Sequence, residues 1–224
     1  MGSLGRVVAI IVLLVLVAAA IPLARRNKRV FNAHNDEMES WAASHGYSYV
    51  FEDNSQYDGY TFYPFGQSDL QYAHRVITGT YAEHAIAVYD FYYATAGSAV
   101  GPAGSGPSDV YFAMLVMQLP ATVPWLHVTE RKHLGRHADG DAISTGDEAF
   151  DATYVLFAKD QEYARSAISA PVRSGLPAQS LTGMHIVDGR LFLWQSRHKH
   201  DVALIDDRLR FAATVVGDLP VPRS

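Results

Sequence analysis

The chain of 224 residues contains no cysteine. Disulfides, thiolate metal sites and cysteine nucleophiles are therefore excluded in any compartment. Charge is scarce, at 18% of residues, and unevenly placed. Of the 18 basic residues, five precede position 30, where no acidic residue occurs, so the first 29 residues carry +5. The remainder sets 13 basic against 23 acidic residues, a formal −10. A body that acidic offers no broad basic face to nucleic acid. The signature motifs of chemistry are also missing. There is no G-x-S-x-G elbow, no G-x-x-x-x-G-K-[ST] or G-x-G-x-x-G phosphate cradle, and no H-E-x-x-H. The one glycine-rich stretch, Ala96–Ser108, holds four Gly and two Pro in thirteen residues with no Lys following, and reads as a flexible loop joining two neighbouring strands. No internal repeat is visible.

What is present begins with Val7–Ala24, VVAIIVLLVLVAAAIPLA, a run without charge or strongly polar side chain. Eighteen helical residues cover roughly 27 Å, close to the hydrocarbon thickness of a bilayer. The sequence therefore predicts a short tail (1–6), a transmembrane helix (7–24), a basic juxtamembrane segment with a linker helix (25–46) and a soluble domain (47–220). Arg25, Arg26, Lys28 and Arg29 follow the run. By the positive-inside rule they place the N-terminus outside and the body in the cytoplasm of a single-pass membrane protein. The alternatives are an exported, tethered body and a cleaved signal peptide ending near Ala18–Ala20, opposed by the cations lying after the core rather than before it. The four cations suit anionic headgroups, at about 1 kcal/mol for each near the surface, or serve only to set topology.

Periodicity then predicts the elements. Residues 30–45 read as a helix with Phe31, Met38, Trp41, Ala42 and His45 near one face, closed by Gly46. Tyr47–Phe51 alternates as a strand, and Tyr60–Phe65 is an aromatic cluster bent at Pro64. His74–Tyr93 forms a hairpin turning at Ala82-Glu83-His84. Within it, Asp90 is too costly to bury alone, so it lies on an outer face or pairs with a partner such as Arg75. Val110–Leu119 reads as a strand buried on both faces, too short for a second membrane pass. Leu126–Thr129 and Asp151–Ala158 are further strands flanking a charged loop at 130–146. Asp160 caps a helix that Pro171 ends, kinks or restarts. Asp188-Gly189 makes a two-residue hairpin. Leu204–Val216 is an amphipathic helix buried through Leu204, Ile205, Leu209, Ala212, Val215 and Val216, with Gly217 closing it. The sum is an α+β domain: a mostly antiparallel sheet of about seven strands with two or three packed helices.

The segment Asp147-Glu-Ala-Phe150 to Asp160-Gln-Glu-Tyr-Ala164-Arg165, followed by Ile186-Val-Asp-Gly189-Arg-Leu-Phe192, resembles a domain of unknown function in single-pass membrane proteins of actinobacteria. Val76-Ile-Thr-Gly79-Thr-Tyr81 and the Pro124-Trp125-Leu126 corner resemble the same group. These motifs are structural and carry no catalytic residue. The layout, one N-terminal span followed by a cytosolic domain of this size, is also similar to that of the trehalose monomycolate transport factor A of mycobacteria.

Ten histidines invite a metal site. His133 and His137 are spaced i, i+4 with His127 upstream, but Gly135 intervenes; His198 and His200 alternate beside Arg197 and Lys199. Asp139-Gly-Asp141 opens like a calcium loop but lacks the later Gly and Glu. Solvated polar loops account for all three, so no metal, cofactor or catalytic residue is assigned. The first functional reading is a membrane-anchored, non-enzymatic accessory protein. Its domain binds a membrane protein of envelope assembly or transport, with mycolate-lipid transport as one setting and no nucleic acid partner. The alternatives are a tethered lipid- or small-ligand-binding domain and a metal-dependent hydrolase. The candidate binding residues are Tyr60, Phe62, Tyr63, Phe65, Tyr89, Phe91 and Tyr93, which line a pocket or fill the core.

Overall fold

The computed structural model describes residues 33–94, 109–136 and 141–220. The apolar run 7–24, its basic flank and the loop 96–108 lie outside the described residues. Among the described residues, no helix is long and apolar enough to cross a membrane.

One antiparallel sheet organises the domain. Its strands are β1 (Ser48–Glu52), β2 (Gln71–Tyr81), β3 (His84–Ala94), β4 (Asp109–Gln118), β5 (Leu126–Glu130), β6 (Tyr154–Ala158), β7 (Gly183–Val187) and β8 (Arg190–Ser196). In space they run β1-β2-β3-β4-β8-β7-β5-β6, eight strands among the described residues rather than about seven. The first four form a meander. The β7–β8 hairpin then inserts between β4 and β5. Both long hairpins turn on two residues with positive φ: Ala82 and Glu83 (46° and 69°), and Asp188 and Gly189 (50° and 69°). That geometry matches the twist of paired strands.

Among the described residues, five helices accompany the sheet: α1 (described over 33–44), α2 (Glu148–Thr153), α3 (Gln161–Ala167), α4 (Ala170–Ala178) and α5 (Ile205–Asp218). The helix α1 buries Met38, Trp41 and Ala42 in one cluster with Ile77, Ile86 and Val88, and Gly46 follows it at φ 72°. The helix α2 replaces the first residues of the strand expected at Asp151–Ala158. Asp147 accepts from the Phe150 amide, and Glu148 and Asp151 occupy the first turn, so local capping outweighs the strand pattern until Tyr154. Asp160 caps α3 as its sequence position predicts, accepting from Tyr163 N at 2.9 Å. Pro171 restarts the chain in the first turn of α4, where its missing N–H costs nothing. The helix α5 runs past Gly217 to Asp218, and of its expected core face only Leu204 is exposed.

The sheet is buried on both faces. Helices cover one, against Ile77, Val88, Leu115, Leu126, Leu156 and Leu193. The other carries Val76, Tyr89, Phe91, Phe112, Met114 and Trp194, roofed by Tyr63 and Phe65. This explains the nearly unbroken apolar run of β4. Trp194 demands space on that second face: a Cβ on Gly183, its register partner, would lie 2.1 Å from the indole Cζ2. The substitution Gly183→Ala is therefore expected to cost about 1–3 kcal/mol through overpacking. The urea midpoint of the detergent-solubilised chain reads this; an unchanged midpoint would show that Trp194 is loosely held.

Candidate functional site

The seven aromatic candidates divide by burial. Phe65, Tyr89 and Phe91 are fully buried, Tyr63 and Tyr93 nearly so, while Tyr60 and Phe62 are half-buried. They meet edge to face: Phe65 with Phe91 at 4.9 Å, Tyr63 with Phe112 at 5.5 Å, and Phe62 with Phe192 at 5.1 Å between centroids. These are packing geometries for a core. The segment around Pro64 acts as its roof, fastened where Arg190 donates to the Tyr60 hydroxyl at 2.7 Å. Burial of the Tyr89 hydroxyl raises its pKa beyond any physiological range.

The histidine candidates are dispersed. His127 on β5 faces not His133 but His185 on β7, Nδ1 to Nδ1 at 3.2 Å, so one ring donates and the other accepts. Trp194 lies at 5.8 Å from His127, Phe62 at 4.1 Å from His185. Burial, and then the neighbouring His127, push the His185 pKa well below its ordinary value. His133 lies beside Glu130 at 3.5 Å. His137 and Asp139 lie outside the described residues. His198 and His200 do not share a strand face, because β8 ends at Ser196; His198 is exposed and His200 buried. Among the described residues, no group of three His, Asp or Glu is placed to hold a metal ion.

His200 belongs instead to a charge cluster under the helices. Asp90, at the centre of β3, is wholly buried and pairs with Arg75, the second of its two sequence-derived alternatives. Arg75 Nε donates to Asp90 Oδ2 at 2.7 Å, His34 Nε2 approaches the same oxygen at 3.2 Å, and the His200 amide donates to Oδ1 at 2.7 Å. Arg75 Nη1 also donates to Asn35 Oδ1 at 3.0 Å. A bulge makes this possible. Pairing shifts between His74 and Ile77, and Arg75 takes φ 53°, so Ala73 and Val76 both keep to the aromatic face while Arg75 reaches Asp90. Left-handed geometry costs a non-glycine residue about 1–2 kcal/mol, which the Asp90 contacts offset.

Burial works to raise the Asp90 pKa, but hydrogen bonds from His34 and His200 and the charges of His200 and Arg75 hold it below the ordinary carboxylate value. Burial lowers His200 to about 4, while its ring donates to Met114 O at 2.8 Å. His200 is thus neutral at pH 7, and Arg75 is the cation that keeps Asp90 ionised.

A cleft of about 1210 Å³ opens at the sheet end where β8 stops and β5 finishes. Its walls include Tyr63, Glu130, Lys132, Thr182, Ser196, Arg197 and His198. Thr182 Oγ1 and Ser196 Oγ lie 2.9 Å apart. Neither hydroxyl meets an imidazole among the described residues, so no activated nucleophile is built from them. The cleft suits a hydroxylated or anionic group. The sequence marked His133 and His198 on its wall, but only the fold brings Thr182 and Ser196 to them. His34 and His200 went unmarked as partners of Asp90, and the only cue was the need to satisfy a buried carboxylate.

Two outcomes are expected. Asp90→Ala strands a buried guanidinium and costs about 3–5 kcal/mol, read as a lowered urea midpoint; a loss within error would show that Arg75 finds another partner. Both depressed pKa values act in one direction. Between about pH 6.5, the ordinary histidine value, and about pH 4, the unfolded chain binds protons that buried His200 refuses, so stability falls on acidification. Below that, the share contributed by Asp90 is lost as pH falls through its depressed value. His200→Gln is expected to flatten the upper part of this curve; an unaltered slope would assign it to other groups.

No known protein-family profile matches the chain, and no curated protein does. A solved structure does: the crystal structure of the mycobacterial trehalose monomycolate transport factor A. It is similar at a TM-score of 0.61 with 16% identity, over 84% of this chain and 98% of that one. At that identity the likeness is one of fold, and the domain shares its fold with a factor of glycolipid transport.

Proposed function

We propose that this protein is a non-enzymatic accessory factor of a membrane transport or envelope-assembly system. The run at 7–24 tethers it to the membrane, and its α+β domain binds a protein of that system. The supporting observation is the fold shared along nearly the whole of the trehalose monomycolate transport factor. By that likeness the cargo of the system is a glycolipid. Scaffold chemistry agrees with an accessory role: Asp90, His200 and His185, all lowered in pKa, are buried within the fold away from the cleft, and Tyr154 on the cleft wall is raised to about 12 chiefly by its own burial. The basic strip before the domain and the acidic body behind it suit a domain held close to, but not spread over, an anionic surface.

A second reading has its own observation. The polar cleft beside Thr182 and Arg197 has the dimensions of a ligand site, and in this reading the domain holds a lipid headgroup itself rather than a protein. One experiment separates the two. The chain carries a C-terminal tag, intact host cells are crosslinked, membranes are extracted in mild detergent, and co-purifying proteins and lipids are identified. The accessory reading predicts a membrane protein recovered in near-stoichiometric amount and a tag protected from external protease. Recovery of a stoichiometric lipid without a protein would favour the second reading. A chain found free of membranes would contradict the tether.

A further inference from the structure

Arg75 and Arg208 are both buried, each 1% exposed. Their surroundings differ. Arg75 has the carboxylate of Asp90. Arg208, on α5, meets only neutral acceptors: its Nη2 donates to Gln195 Oε1 and, at 3.4 Å, to the Gln179 carbonyl. Its Nε and Nη1 have no acceptor among the described residues. Asp201 acts on Arg208 through space, but it is exposed and caps the turn before α5, accepting from the Ala203 amide at 3.1 Å. A guanidinium stays protonated in a protein, so the fold holds a desolvated cation with most of its donors unmet. Such a group is costly unless an anion reaches it.

The cleft at the sheet end lies on the far side of these acceptors. Gln195 is half-buried and lines the cleft, as does Ser180, the residue after Gln179. The guanidinium of Arg208 therefore sits behind this wall, with the Gln195 side chain between it and the opening. Arg197, exposed, stands two residues further along the same wall. The rest of the charge there is balanced: Lys132 holds Glu130 at 2.8 Å, and Asp109 opens β4 beside Val110. The demand for an anion thus comes from Arg208 itself and not from a basic surface. Gln195 offers it one neutral oxygen, whereas the planar fork matches two oxygens of a phosphate or carboxylate.

We propose that the cleft is a phosphate-ester site, with Arg208 as its buried anchor, Arg197 as its outer cation and Gln195 as a gate. The Gln195 side chain swings into the cleft and lets a phosphate oxygen reach the guanidinium. The proposal rests on the reading of this cleft as a ligand site, and names the chemistry of the ligand. A cleft of about 1210 Å³ is far larger than a phosphate, so the ester carries a further polar part. A lipid headgroup and a soluble phosphate ester share that chemistry.

The test uses the full-length chain in a polyoxyethylene detergent, with the urea midpoint as readout at constant ionic strength. The probes are glycerol 3-phosphate and dihexanoyl phosphatidic acid, with chloride as control. Both phosphates are expected to raise the midpoint saturably, as a ligand of the folded state does, and chloride is not. Arg208→Met and Gln195→Glu are expected to weaken the response about ten-fold or more. Neither change should lower the midpoint without ligand, since the first removes an unpaired charge and the second places a carboxylate on it. Should Arg208→Met fail to fold, Gln195→Glu decides alone. Phosphatidic acid acting at about a tenth of the glycerol 3-phosphate concentration assigns the site to a lipid, whose chains bury apolar surface; equal potency assigns it to a soluble ester. No shift with either phosphate, or a shift that both variants retain, overturns the proposal. A saturable shift with octyl glucoside and none with phosphate also overturns it, while leaving the cleft a headgroup site.

Discussion

A carboxylate buried in the middle of β3 requires a cation, and much of the domain is arranged to supply and surround it. Asp90 receives Arg75 from the neighbouring strand, His34 from α1 and the backbone of His200 from the segment leading into α5. Three parts of the chain that are far apart in sequence thereby converge on two oxygen atoms. A buried ion pair seldom adds net stability over well-packed apolar groups of the same volume, because both charges must leave water. Its effect here is specificity. The bulge at Arg75, the angle of α1 across the sheet and the position of the 197–201 segment all have one arrangement that satisfies Asp90. A sheet with apolar residues on both faces has many ways to be covered, and the cluster selects one.

The consequence for function runs through α1. In sequence this helix joins the basic strip to the domain; in structure it is part of the domain, with Met38 and Ala42 fully buried and His34 and Asn35 bound to the charge cluster. A connector that is packed and hydrogen-bonded transmits orientation, whereas a flexible linker transmits only proximity. The aromatic roof on the opposite face and the cleft at the sheet end thus stand in fixed relation to the first described turn of α1.

Local signals in the sequence were good guides where the physics is local. Asp188-Gly189 announces its turn because both residues tolerate positive φ, and Asp160 announces a helix start because its side chain replaces a missing acceptor. The amphipathic period of α5 gives five of its seven buried residues and misses Arg208 and Phe211. Long-range choices were not legible. Nothing in the β7–β8 hairpin states that it inserts between β4 and β5. The bulge at Arg75 leaves no mark, since arginine is not a residue that alternation assigns to a left-handed position. Asp151–Ala158 reads as a strand throughout, yet Asp147 caps a helical turn first. His198 and His200 alternate in sequence but fall beyond the end of β8. The aromatic clusters at 60–65 and 89–93 are alike in composition to a ligand platform and to a core, and only burial separates those uses. Tyr92, between two core aromatics, points the other way for the simple reason that strands alternate.

The central claim is that α1 is held to the sheet by Asp90 and shares the stability of the whole domain. Native-state hydrogen exchange of the amides in residues 36–44 tests it directly. The account predicts that the slowest of these amides exchange only through global unfolding, with the same free energy and denaturant dependence as β3 and β4. Exchange through a local opening, at much lower free energy and without denaturant dependence, would show α1 to be a loosely attached linker and would contradict it.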